Sequence, residues 1–124
     1  MKLKAEDLKM GPELDTLIAE KVMGFQWRAL APDDPLGRWQ SPDGQYWSAE
    51  PPGYSTSMEL AWQVVEAIKA RGFHWWFTAK VGEDQSCTAA IRTMPESNTI
   101  ACCRSAAMSE AICLSALKAI GVIE

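Results

Sequence analysis

Phe73-His74-Trp75-Trp76-Phe77-Thr78-Ala79-Lys80, then Gly82-Glu83-Asp84, then Ser86-Cys87-Thr88-Ala89-Ala90-Ile91-Arg92-Thr93 read as one β-hairpin. Aromatic and β-branched residues suit a pleated, half-buried surface, and a Gly/Asp turn between two such runs closes them antiparallel. With the turn centred near Glu83, Trp75 opposes Ile91 and Phe77 opposes Ala89. Phe73, Trp75, Phe77 and Ala79 then share a core face with Cys87, Ala89 and Ile91. The opposite face sets His74, Trp76, Thr78 and Lys80 against Arg92, Ala90, Thr88 and Ser86, polar except for Trp76 and Ala90.

The segments that follow the hairpin extend it. Pro95-Glu96-Ser97-Asn98 is a turn, and Thr99–Arg104 is a third strand, apolar on both faces through Ile100, Ala101, Cys102 and Cys103. A strand apolar on both sides predicts cover on both sides. A closing helix from about Ala106 to Ala119 turns Ile112, Cys113, Ala116, Leu117 and Ile120 inward and stops at Gly121. Upstream of the hairpin, Thr56 and Glu59 have capping-box spacing and open a helix with Ala61, Trp62, Val65 and Ile68 on its apolar face, ending at Arg71-Gly72.

Nearer the start, Pro12–Met23 predicts another helix: Pro12 suits the first turn, Glu13 and Asp15 suit its positive end, and Leu14, Leu17, Ile18 and Val22 form one stripe ahead of Gly24. Between the first two helices, Pro32, Pro35, Pro42, Pro51 and Pro52 forbid a long helix or a central strand. Short edge strands and turns remain, with Ser41-Pro42-Asp43-Gly44 as a turn and Trp39-Gln40 and Tyr46-Trp47 as arms of a small hairpin. The reading is α+β: an antiparallel sheet sandwiched between helical layers, an α-β-α sandwich of order α-(β)-α-β-β-β-α. The helix at Pro12 is expected on the Trp76 face, and those at Thr56 and Ala106 on the Trp75 face.

The chain has 124 residues, 48% of them hydrophobic and 23% charged, which fits one globular domain over residues 1–124, with 1–10 fraying and 25–55 irregular. No apolar run approaches the ~18 residues of a membrane span, and Met1–Met10 is charged where a signal peptide is apolar, so a cytoplasmic location is expected. Twelve basic against 16 acidic residues leave a net charge of −4, which argues against nucleic acid as a partner. From Thr56 onward the element order is that of a double-stranded RNA-binding domain, but Ser105–Glu110 stands where its lysine cluster would be.

Cys87, Cys102, Cys103 and Cys113 make no C-x-x-C pair, and adjacent Cys102 and Cys103 point to opposite faces of a strand, so reduced, metal-free thiols are expected. His74 is the single histidine and stands in no nucleophile or metal motif; no cofactor and no enzyme activity are predicted. Two candidate binding clusters remain. Trp39, Tyr46 and Trp47 in the Pro-rich segment are candidate anchors for a protein partner. His74, Trp76, Arg92 and Arg104 are candidates for a nucleotide, with a ring to stack on and guanidinium donors for phosphate. Six Trp and open strand edges also predict a homo-oligomer.

Three stretches, Pro12–Gly24 (PELDTLIAEKVMG), Tyr54–Ile68 (YSTSMELAWQVVEAI) and Ala111–Val122 (AICLSALKAIGV), together resemble the phage ABA sandwich domain family. The resemblance implies a sheet between helical layers and a phage or prophage accessory protein acting in the host cytoplasm. It further implies a non-enzymatic binder that antagonises antiviral defence by occluding a host defence protein, an anti-CRISPR inhibitor being one kind. Sequestration of a nucleotide-derived immune signal is the alternative, followed by hydrolysis of such a signal. The family supplies no catalytic residues to carry over. The Trp/Pro-rich segment before Tyr54 and the Cys102-Cys103 strand depart from it.

Overall fold

Pro12 follows Gly11 and starts helix α1 (Pro12–Leu17), where its missing N–H costs nothing. Beyond Leu17 the coil widens into a π-helical extension (Ile18–Val22), in which the Met23 N–H donates to the Ile18 carbonyl at 3.0 Å. Gly24, at φ 77°, then lets the Phe25 N–H reach the Ala19 carbonyl at 2.8 Å and ends the coil. Leu14, Ile18 and Val22 are buried as their spacing requires, and Leu17 packs against them. The computed structural model describes residue 4 and residues 7–29, 37–79, 86–93 and 98–123. The expected turns at Gly82–Asp84 and Pro95–Ser97, together with Pro32, Pro35 and Lys80, lie outside the described residues.

In the Pro-rich segment, β1 (Gln26–Ala29), β2 (Gly37–Gln40) and β3 (Trp47–Ser48) form an antiparallel sheet in that order. Gln40 pairs with Trp47 and Trp39 with Ser48, so the expected small hairpin is present. Gly44, at φ 75°, donates its N–H to the Ser41 carbonyl at 3.0 Å to close the turn. Trp27 opposes Trp39 edge-on, with ring centroids 5.3 Å apart, and its indole lies over Gly37, where any Cβ would collide with the ring.

Helix α2 (Met58–Lys69) starts one residue later than its capping box predicts. Ser57 is the cap, its Oγ accepting the Leu60 N–H at 3.4 Å, while the Thr56 hydroxyl donates to the Gly53 carbonyl at 3.3 Å. Ala61, Val64, Val65 and Ile68 are buried. Trp62 is not part of this core: it sits about 100° around the helix from Ala61, is 51% exposed, and leans over Phe77 with centroids 6.2 Å apart.

The main sheet is β4 (Phe73–Ala79), β5 (Cys87–Thr93) and β6 (Asn98–Ser105), antiparallel in that order. The hairpin register is the one predicted, with Trp75 opposite Ile91, Trp76 opposite Ala90 and Phe77 opposite Ala89. Ala89, Ile91, Ala101 and Cys103 are buried on the helix side, and the Trp75 indole N–H donates to the Val65 carbonyl of α2 at 3.1 Å. Helix α3 (Met108–Ala119) is buried almost all round, from Ser109 through Leu117, because β5 and β6 lie on one side and α2 and the π-helical extension on others. The Ser115 hydroxyl ties it to the Ala89 carbonyl at 2.7 Å.

The α+β class and the element order agree with the sequence reading. One placement does not. Helix α1 rests on α3 and leaves the Trp76 face of the sheet uncovered among the described residues, with Trp76 itself 55% exposed. The physical reason is α3, whose second apolar side needs cover and takes the Leu14–Ile18 stripe.

A buried polar network joins α1, the loop before α2, and α3. Asp15 Oδ1 accepts the Ser55 N–H at 2.7 Å, Ser55 Oγ accepts the Gly11 N–H at 2.9 Å, and the Ser109 hydroxyl donates to the Ser55 carbonyl at 2.7 Å. Next to it, burial pushes the Tyr54 phenol up from 10.0 to about 12, with neighbouring Tyr46 adding to the effect, and burial also raises the Cys113 thiol. The folded chain thus holds protons that the unfolded chain gives up. Stability should be constant up to the unfolded thiol and phenol range and fall as pH rises from about 9 towards 12. Urea unfolding at pH 8 and pH 11 checks this, and Tyr54→Phe should flatten the decline.

Candidate binding face on the open side of the sheet

Side chains alternate along a strand, so the register decides which residues share the uncovered face. His74 opposes Arg92, Trp76 opposes Ala90, Ala90 opposes Cys102, and Thr88 opposes Arg104. Arg92 and Arg104 are the only formally charged residues of the three strands, both fall on this face together with His74, and none of the three strands carries an Asp or Glu. In a chain of net charge −4 this is a local reversal of sign.

Ala90 keeps the middle of the face low, and the Arg92 guanidinium reaches across to lie 4.8 Å from the Trp76 ring centroid, a cation–π contact. The Arg92 Nε is buried without a hydrogen-bond partner. Between Ile91 and Arg92 the pairing with β6 shifts register, from Ala101 to Thr99. Ile100 is the extra residue of this bulge, and it is left exposed. Exposed Cys102 completes an apolar centre with cations around it.

The structure therefore brings His74, Trp76 and Arg92 together and sets Arg104 apart on the same face. Thr88, which opposes Arg104, lies four residues from Arg92 on β5, roughly 13 Å at ~3.3 Å per residue. The two arginines therefore enter the face at separate points.

The other predicted cluster is largely structural. Trp39 is half-buried and packs against the core as well as Trp27. Tyr46 is half-buried, tilted on Phe25 at 5.5 Å, and its hydroxyl donates to the Glu50 carbonyl at 2.7 Å. Both rings thus make contacts within the chain that the sequence reading does not include. The Trp47 backbone pairs with Gln40, and its side chain lies outside the described residues. Among the described side chains of this sheet the exposed ring is Trp27, at 49%. The alternation Gln26-Trp27-Arg28 was the signal that could have found it.

The small sheet and the start of α2 also frame a cavity of about 760 Å³, lined by Met23, Phe25, Tyr46, Tyr54, Leu60 and others, with Asp43 and Glu50 as its charged residues. The Ser41 hydroxyl and the Gln45 N–H donate to the Asp43 carboxylate, which holds it below its ordinary range. Among the described residues no Lys, Arg or His lines this cavity, and that lining opposes an anionic nucleotide.

Among the described residues no three His, Cys, Asp or Glu side chains gather where a metal ion would need them, and no helix is long and apolar enough to cross a membrane. Cys102 and Cys103 do face opposite ways: Cys102 is exposed, and Cys103 is buried with its thiol raised by that burial. No curated protein and no solved structure matches the chain. The phage ABA sandwich domain matches residues 16–117, from near the end of α1 to near the end of α3. On that span the chain belongs to the phage ABA sandwich domain family.

Proposed function

We propose that this protein is a non-enzymatic phage accessory factor that acts by protein contact, laying the Trp76 face of its sheet on an acidic surface of a host defence protein. The observation that carries the reading is a single one: Trp76 is 55% exposed on a face whose every charged residue is a cation, within an acidic chain. Trp and Arg are the side chains that most often dominate the energy of protein interfaces. Membership of a phage domain family supports the setting in which a host protein is the partner.

Geometry favours a protein over the nucleotide alternative. Small anionic ligands are held in concave sites with convergent donors, whereas the arginines here are spread across a sheet and the described lining of the large cavity contains no cation. Protein binding thus stays the leading reading, while its site moves from Trp39 and Tyr46 to Trp76, Arg92 and Arg104. The test is capture from host lysate by the wild-type chain, Trp76→Ala and Trp27→Ala, beside thermal-shift assays with cyclic and ADP-ribose-type nucleotides. Capture that is lost in Trp76→Ala and kept in Trp27→Ala supports the reading. Stoichiometric nucleotide binding with silent tryptophan variants overturns it.

A further inference from the structure

The two outer strands of the main sheet are built differently. In the order β4-β5-β6, each outer strand has one strand neighbour among the described residues. Strand β6 carries the devices that discourage a further strand: the register shift beside Ile100, which twists the edge, and the charge of Arg104. Strand β4 carries none of them. Phe73–Ala79 (FHWWFTA) pairs with β5 without a register shift and contains no Pro, Gly, Lys, Arg, Asp or Glu.

Exposed rings wrap this edge from both sides. Trp76 stands on the open face, Phe77 is exposed on the helix side, and Trp62 of α2 leans over Phe77. Between α2 and β4 runs a groove of about 230 Å³ lined by Trp62, Val65 and Lys69 at successive helical turns and by His74, Trp75 and Phe77. A groove between a helix and an unpaired strand accepts an added strand, with backbone hydrogen bonds along the edge and alternate side chains entering the groove.

We infer that a second copy of this chain fills it, β4 pairing antiparallel with the partner's β4 about a two-fold axis at Trp76 to make one six-stranded sheet. Trp76 is the middle residue of the seven-residue strand, so a centred register sets it beside its own symmetry mate, Trp75 beside Phe77, and His74 beside Thr78. The edge is self-complementary in that register. The exposed Phe77 ring of each copy enters the aromatic groove of the other, and no pair of like charges meets. The occupant is argued from this match between knob and groove and from the neutrality of the edge.

The assembly also enlarges the proposed binding face. Three strands of about seven residues cover roughly 23 by 14 Å at standard spacings, below the ~800 Å² that a specific interface buries on each partner. Pairing across the axis doubles the face and joins two sets of Arg92, Trp76 and Arg104. The edge pairing stands apart from the identity of any host partner, and its test uses this protein alone.

The experiment is light scattering on the full-length protein at micromolar concentration, with amide hydrogen exchange on the same sample. The wild type should have twice the 13.7 kDa chain mass, and alternate β4 amides should lose protection on dilution to the monomer. Phe77→Lys, or Trp62→Glu if circular dichroism shows that Phe77→Lys does not fold, should raise the dimer dissociation constant at least tenfold. A monomeric wild type overturns the inference, as does a dimer whose mass and β4 protection both variants leave unchanged.

Discussion

Asp15→Ala should cost about 3 kcal/mol of folding stability, read as a lowered urea midpoint at unchanged slope. The side chain is buried, and its Oδ1 accepts the N–H of Ser55, a residue with no exposed surface. Hydrogen bonds to charged groups contribute about 1.5–3 kcal/mol, and a buried donor left without a partner adds about 1–3 kcal/mol. Alanine removes the acceptor and opens no route for water to the Ser55 N–H. The loss spreads because Ser55 also accepts from Gly11 and Ser109, so one residue positions α1, the loop before α2, and α3. Asp15→Asn keeps an acceptor and should lose about half as much. A change below about 1 kcal/mol in Asp15→Ala would show that the network orders the helices without stabilising them.

Trp76→Ala should weaken capture of the host partner at least 30-fold, about 2 kcal/mol, while leaving folding stability nearly unchanged. Both halves follow from its position. The ring is more than half exposed, so truncation leaves no core cavity, and its packing partner within the chain is the Arg92 guanidinium. In a complex the same ring is desolvated together with that guanidinium, a setting in which a cation–π pair strengthens. Trp75→Ala, one residue away, should reverse the pattern. Trp75 faces α2, stacks on Phe77 at 5.5 Å and donates to the Val65 carbonyl, so its loss falls on stability. The contrast between neighbouring tryptophans separates a binding surface from a core.

The hairpin was legible because strand alternation and a short turn leave one register that buries Ala89 and Ile91 together. The helix ends were legible to within a residue or two, since Pro12, Gly24, Gly72 and Gly121 mark them chemically. The docking of α1 was not legible from α1 itself. Leu14, Ile18 and Val22 suit any apolar partner, and the deciding information lies about a hundred residues away, in the near-continuous apolar run Ala111-Ile112-Cys113-Leu114-Ser115-Ala116-Leu117 of α3. A helix apolar on every side requires two layers of cover, and α1 supplies the second. Once α1 is assigned there, nothing else among the described residues covers Trp76.

The same reasoning accounts for the site. The group His74, Trp76 and Arg92 was visible as cross-strand neighbours, while its exposure depended on the placement of α1. The partial burial of Trp39 and Tyr46 was not legible for the opposite reason. A proline-rich surrounding suggests an open loop, yet β1 pairs with β2, and the Phe25 and Trp27 rings take up the faces of Tyr46 and Trp39.

Cys102 offers the most direct measurement of the binding face. Its thiol is exposed near the centre of that face, opposite Ala90, whereas Cys103 and Cys113 are buried and their thiols are raised by that burial. Alkylation with iodoacetamide, mapped by mass spectrometry, should modify Cys102 readily in the free protein. In the purified complex with the captured host protein, modification of Cys102 should slow at least tenfold and recover when high salt releases the partner. Cys102 that reacts equally fast in free and bound protein would place the partner elsewhere and contradict the assignment of the sheet face as the binding surface.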